Sequence, residues 1–171
     1  MRVAVLTISD RSSRGEREDL SGPVLIDIVR QKAWKVINSS IVSDDQNEIE
    51  DILREWADSK DVDLILTTGG TGFAPRDRTP EATKAIIDRL APGLSEAMRS
   101  ASIKKTPHAM LSRAISGIRG RTLIVNLPGS PRAARENLEV ILAALPHAVQ
   151  LLSDDPDAER GHQPPRRMEN V

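Results

Sequence analysis

The chain has no cysteine, which excludes disulfides, thiolate metal sites and cysteine nucleophiles. It also lacks a dominant charge: 24 basic residues stand against 25 acidic ones, for a formal net charge of −1. That balance provides no electrostatic footprint for nucleic acid or for an anionic membrane, so an anionic ligand has to be held by local groups. No apolar run approaches the length of a membrane span, and no secretory hydrophobic stretch precedes the first strand, so a cytoplasmic protein is expected. No solenoid-length repeat is present. His108 and His147 follow prolines and share no ligand spacing, which argues against a histidine metal centre.

What is present is a chain of 171 residues, 39% hydrophobic, enough for one globular domain with its own core. Residues 3–8 read as a continuous apolar strand opening into a polar loop over 9–15. Ser21-Gly22-Pro23 starts a helix with Val24, Leu25, Ile28 and Val29 at helical spacing. A second strand over 36–42 ends in Ser43-Asp44-Asp45, a helix over 46–58 carries Ile49, Ile52, Leu53 and Trp56 on one face, and a third strand covers 62–68. Thr79-Pro80-Glu81-Ala82 begins a helix expected to run through residue 90, and another follows over 94–102. Two β-prone runs, 114–118 and 122–127, are joined by Arg119-Gly120-Arg121 as in a hairpin. Helices over 132–144 and 147–152 complete the series. Strands alternating with helices predict a three-layer α/β/α sandwich with a mostly parallel sheet plus a short hairpin with an antiparallel strand. Trp34 and Trp56 sit among apolar neighbours and read as core. The domain is expected to span residues 1–153. The charged, proline-containing segment 154–171 is expected to be mobile or to pack on a neighbouring subunit.

The third strand opens into Thr67-Thr68-Gly69-Gly70-Thr71-Gly72, a glycine-dense turn that leads to Asp77. Bare amides after a buried parallel strand bind phosphate at the carboxyl edge of open α/β sheets. These glycines do not fit G-x-G-x-x-G, and no Lys-Ser/Thr pair follows, so neither the dinucleotide fingerprint nor the Walker loop is present. The first strand ends at Ser9-Asp10, the second at Asp44-Asp45, the third at the glycine turn and the hairpin's second strand at residues 126–130. Parallel strands would bring all four ends to one edge. Carboxylates beside a phosphate loop repel the ligand unless a cation intervenes, and Mg²⁺ between aspartates and a triphosphate resolves the conflict. Taken singly, each residue has a plainer use: Asp44 or Asp45 as a helix cap, Asp77 as a turn residue, Ser112 as a loop hydroxyl, Ser130 as a cap, and Arg76, Arg78 and Arg113 facing solvent.

The run Leu66 through Thr83, with Thr67-Thr68-Gly69-Gly70-Thr71-Gly72 and Pro75-Arg76-Asp77-Arg78-Thr79-Pro80-Glu81-Ala82-Thr83, closely resembles the molybdopterin adenylyltransferases of molybdenum cofactor biosynthesis, the MogA/MoaB family related to the gephyrin G domain. Thr7-Ile8-Ser9-Asp10-Arg11, Ser21-Gly22-Pro23, Ala109-Met110-Leu111-Ser112-Arg113, Gly117-Ile118-Arg119-Gly120 and Asn126-Leu127-Pro128-Gly129-Ser130-Pro131 match in the family's order. The resemblance implies a homotrimer that adenylylates molybdopterin from Mg-ATP, releasing pyrophosphate, before another protein inserts the metal. It places the catalytic, metal-holding aspartates on Asp44 and Asp77. Asp45 stands as the alternative to Asp44, because Ser43-Asp44-Asp45 replaces the family's usual Pro-Asp-Glu. It implies substrate contacts from Ser9, Asp10, Thr68, Gly69, Gly70, Thr71, Gly72, Ser112, Pro128, Gly129 and Ser130, with the pterin toward Ser112 and the 128–130 turn and with Ser9 and Asp10 nearby. A non-catalytic molybdopterin-binding carrier or scaffold of the MoaB kind is the alternative.

Overall fold

Six strands form one sheet in a computed structural model that describes residues 1–153: β1 (Arg2–Ile8), β2 (Lys35–Val42), β3 (Leu64–Thr68), β4 (Arg89–Leu90), β5 (Ser116–Arg119) and β6 (Thr122–Leu127). Their order across the sheet is β2-β1-β3-β6-β5-β4. The first four in that order run parallel, while β5 is antiparallel to β6 and β4 to β5. The segment 154–171, and with it the expectation of a mobile or subunit-packed tail, lies outside the described residues.

Strand side chains alternate between two buried faces, which explains the unbroken apolar runs. Val3, Val5, Leu64, Leu66, Leu123 and Val125 pack with α2 (Ser21–Gln31), α5 (Pro92–Ile103), α6 (Pro131–Ile141) and α7 (Leu145–Leu152). Ala4, Leu6, Ile8, Ile65 and Ile124 pack with α3 (Gln46–Asp58) and α4 (Thr79–Ile86). Two helix layers therefore enclose the sheet, as the sequence predicts. Trp56 is buried in the second cluster and Trp34 packs half-buried against the first.

Register keeps the strand ends level. Thr7 lies beside Thr68, Thr68 beside Leu127, and Ile8 beside Val42, so the chain leaves all four parallel strands at one edge.

The helix expected to run through residue 90 stops at Ile86. Ile87 is extended, and Asp88 and Ala91 donate their amides to Ile118 and Ser116 at 2.8 Å, so residues 89–90 become the edge strand β4 instead. Gly117 makes room for the crossing, since a Cβ there would collide with the Ile87 side chain. Two short helical pieces, α1 (Asp10–Ser13) and a 3₁₀ turn over Pro107–Leu111, occupy segments without apolar periodicity. The start of α2 is capped by Asp19, ahead of the Ser21-Gly22-Pro23 signal, and its carboxylate accepts from the Ser21 and Gly22 amides at 2.9 and 3.1 Å.

Candidate active site

The shared strand edge carries two cavities on either side of the glycine turn. The larger, about 610 Å³, is lined by Ser9, Asp10, Asp44, Thr68, Gly69, Gly70, Asp77, Gly129 and Ser130. The smaller, about 300 Å³, is lined by Thr71, Gly72, Ser112 and Pro128, with Met98, Leu111 and Ala133 making it more apolar. All the residues expected at the site therefore reach the same edge, divided between two chambers. Ser9 and Asp10, expected near Ser112, lie in the other chamber beside the carboxylates, because β1 and β3 are neighbours and the glycine turn stands between them and Ser112. Gly129 and Ser130, expected on the same pterin side, also line that other chamber; of the 128–130 turn, Pro128 lines the smaller one.

The turn is built from backbone that tolerates no side chain. Gly69 and Gly70 have φ of +104° and +62°, and a Cβ on Gly69 would run into the Ile8 carbonyl oxygen. Gly129 packs against it so closely that a Cβ would sit 3.1 Å from Gly69 Cα. The Thr68 hydroxyl donates to the Pro128 carbonyl at 2.7 Å, which ties the end of β3 to the loop after β6. Thr79, at the start of α4, donates its hydroxyl to the Gly69 carbonyl at 2.8 Å and its amide to the Gly70 carbonyl at 3.1 Å. In a trans peptide the N–H points opposite the C=O, so these two bonds turn the Gly70 and Thr71 amides away from Thr79. The amides of Gly70, Thr71 and Gly72 carry no hydrogen bond among the described residues, whereas that of Gly69 is committed to the Leu127 carbonyl at 3.2 Å. Gly69 therefore serves the turn through its conformation, and the free donors begin at Gly70.

The adjacent aspartates separate on folding. Asp45 is exposed and caps α3, accepting from the Asn47 and Glu48 amides at 3.0 and 3.1 Å. Asp44 lines the larger cavity, where its Oδ2 accepts from the Asp10 amide at 2.7 Å. Asp77 closes its own turn, its Oδ2 accepting from the Ala74 amide at 2.9 Å. Oδ1 of Asp44 and Oδ1 of Asp77 accept no hydrogen bond among the described residues. Burial raises the Asp44 carboxyl above its ordinary value; the Asp10 amide opposes this, and the Asp10 and Asp77 charges add to the rise. Asp10 shows the reverse: hydrogen bonds from the Arg76 guanidinium, and then from the Asp44 amide, lower it to about 2. Among the described residues no group of three or more His, Cys, Asp or Glu is arranged to hold a metal. Two carboxylates with free oxygens instead suit a cation whose shell is completed by substrate phosphates, the usual habit of Mg²⁺.

Other residues at the site were not singled out by sequence reasoning, or were read as solvent-facing. Asp19 borders the larger cavity and accepts from the Thr7 hydroxyl at 2.6 Å as well as from the start of α2. An acidic residue just ahead of a helix start was its available signal. Arg11, Arg14 and Arg17 line the same cavity, and nothing in their spacing marks them. Arg113, read as facing solvent, turns inward: it donates to the Gly72 carbonyl at 2.7 Å, to the Asp77 carbonyl and to the Glu81 carboxylate, bracing the segment between the glycines and α4. Ser130 occupies the position ahead of α6, yet its hydroxyl makes no capping bond.

Comparison with known proteins gives this edge a context. A family described as probable molybdopterin binding domain matches residues 4–147. The chain is 43% identical over 154 residues to the molybdopterin adenylyltransferase of Helicobacter pylori strain J99, covering 89% of this chain and 88% of that one. It is 46% identical over 164 residues to gephyrin from Dictyostelium discoideum, where 90% of this chain spans 23% of the relative. Among solved structures, a molybdopterin biosynthesis enzyme MoaB from Thermus thermophilus superposes with a TM-score of 0.85 at 51% identity, covering 91% of this chain and 98% of that one. A family match running from residue 4 to residue 147, on the same fold, establishes that the chain belongs to the molybdopterin-binding domain family.

Proposed function

We propose that the protein is a molybdopterin adenylyltransferase that moves AMP from Mg-ATP to the terminal phosphate of molybdopterin and releases pyrophosphate. The observation that carries this reading is the glycine turn with free amides, set between a polar cavity holding Asp44 and Asp77 and a smaller, more apolar one holding Ser112. Two ligands of different character can meet across that turn. The relative named molybdopterin adenylyltransferase, at 43% identity over most of both chains, supports the same chemistry.

In this reaction an anionic phosphate oxygen of molybdopterin attacks the α-phosphorus of ATP. The bond from that phosphorus to its bridging oxygen breaks, and the electron pair leaves with pyrophosphate. The nucleophile is already ionised, so no strong base is needed, and catalysis rests on positioning and charge neutralisation. Amides of Gly70, Thr71 and Gly72 steady the transferred group, and Gly129 and Ser130 border the nucleotide side. Ser9 and Thr68 complete that wall, while Ser112 and Pro128 face the pterin. Mg²⁺, when bound, offsets phosphate charge and orients the triphosphate; Asp44 and Asp77 would hold it. The working form is a cytoplasmic homotrimer that passes its product to a metal-inserting protein. Among the described residues no helix is long and apolar enough to cross a membrane.

The test is pyrophosphate release from Mg-ATP by purified protein, with and without molybdopterin, beside Asp77→Asn. Release that depends on molybdopterin and collapses in the variant supports the enzyme. The family description, a probable molybdopterin binding domain over residues 4–147, also supports a second reading, a carrier that binds molybdopterin without turnover. Binding with no release would establish that carrier. Sedimentation showing only monomer at micromolar concentration would remove the trimer.

A further inference from the structure

We infer that Asp10 is a positioning residue that sets the geometry of Asp44 and Asp77, rather than a group that contacts substrate. Asp10 and Asp44 exchange a reciprocal pair of bonds: the Asp10 amide donates to Asp44 Oδ2 at 2.7 Å, and the Asp44 amide donates to Asp10 Oδ1 at 3.0 Å. The Arg76 guanidinium grips the same carboxylate with two bonds, Nε to Oδ2 at 2.9 Å and Nη2 to Oδ1 at 2.7 Å. Both Asp10 oxygens are thus committed within the protein.

Each partner of Asp10 belongs to a different wall of the cavity. Asp10 follows β1, Asp44 follows β2, and Arg76 lies inside the turn after β3 that Asp77 closes through the Ala74 amide. One side chain therefore ties the two loops bearing the proposed cation-holding carboxylates. The Asp10 backbone amide holds Asp44 Oδ2 and so leaves Asp44 with a single free oxygen, Oδ1. Its orientation is fixed before a ligand arrives, as preorganised sites require. The inference rests on the adenylyltransferase reading for its cation but on the apoprotein geometry for its substance.

The test compares Asp10→Ala, Asp10→Asn and Arg76→Gln by three readouts: hydrogen exchange of the Asp44 amide, affinity for ATP as a function of Mg²⁺ concentration without molybdopterin, and kcat and KM for Mg-ATP. Removing a group that orients metal ligands costs on the order of 10- to 100-fold in metal affinity or activity, and Asp10→Ala is expected to lose that much, chiefly in KM for Mg-ATP. Its Asp44 amide should exchange faster. Asp10→Asn keeps the Oδ1 acceptor, so it should keep that amide protected and recover part of the loss. Arg76→Gln should weaken Mg-ATP while leaving the Asp44 amide protected. Wild-type Mg-ATP affinity in Asp10→Ala overturns the inference. So do equal losses in Asp10→Ala and Asp10→Asn with the Asp44 amide protected in both, the signature of direct ligand contact. Should the wild-type protein release no pyrophosphate and bind no ATP, the exchange measurement decides alone, and unchanged protection in Asp10→Ala rejects the assignment.

Discussion

The buried Thr79 hydroxyl donates to the Gly69 carbonyl oxygen at 2.8 Å, so the first turn of α4 fixes the direction of a glycine peptide that borders the larger cavity. Thr79→Val keeps the shape and the backbone amide but leaves that carbonyl without its partner. A buried acceptor stranded in this way costs about 1–3 kcal/mol. The expected result is a lower urea midpoint with an unchanged slope, together with weaker nucleotide binding. An unchanged midpoint would show that the turn holds its shape without Thr79.

Positive φ alone and positive φ with a collision should be separable by mutation. Gly120 has φ +55° and open space around its missing Cβ, whereas Gly69 has φ +104° and the Ile8 carbonyl in the way. Gly120→Ala should cost about 1 kcal/mol, the typical penalty for a non-glycine residue in that region. Gly69→Ala should cost several times more, because β1 or β3 must shift. Comparing the two by chemical denaturation tests this, and similar losses would contradict it.

Asp44→Asn should separate stability from activity. Burial holds the Asp44 carboxyl above its ordinary value, so at neutral pH its ionised form is less comfortable in the folded protein than in the unfolded chain. A neutral amide of the same shape relieves that cost. The expected variant melts at or above the wild-type temperature without ligand yet turns over roughly 10²- to 10³-fold more slowly, the scale for losing a major electrostatic stabiliser. A large fall in melting temperature would instead mark Asp44 as structural.

Asp19 should shape the acid limb of stability. Burial raises its carboxyl, but the Thr7 hydroxyl, the Gly22 and Ser21 amides and the Ser21 hydroxyl outweigh that and leave it below its ordinary value. A depressed folded pKa means the stabilisation is complete above the unfolded value of about 3.9 and is lost as pH falls through the folded value. Urea midpoints of the wild type should therefore fall between about pH 5 and pH 3, with Asp19→Asn showing a shallower decline. Asp19→Ala should cost about 1–2 kcal/mol at neutral pH through loss of the α2 cap. Parallel pH curves for wild type and Asp19→Asn would refute the assignment.

Much of this architecture is legible in the sequence, for a physical reason. Strands covered on both faces must be apolar throughout, so β1, β3 and β6 announce themselves as runs. Residues 46–58 become α3 because Ile49, Leu53 and Trp56 share a face and Asp45 supplies the cap. The end of α4 is different. Ile86, Ile87 and Leu90 suit a helix or a strand, and what decides between them is the open edge of β5, a partner distant in sequence. Asp44 and Asp45 are equally ambiguous on spacing alone; they part company only when one meets the α3 amides and the other meets Asp10. The division into two cavities depends on the φ angles at Gly69 and Gly70, and the commitment of the Gly69 amide depends on β6, so neither could be read from residue types.

The peptide between Gly70 and Thr71 is a party wall, since Gly70 borders the larger cavity and Thr71 the smaller. A ligand that displaces it on one side reshapes what the other side offers. By linkage, whatever factor a first occupant imposed on a second would be returned in full, so the two affinities would be two views of one coupling. With a ligand in each chamber, order of addition, cooperativity and the discrimination of a poor ligand would share a physical origin in the stiffness of this turn and in the Thr79 bonds that hold the Gly69 and Gly70 carbonyls.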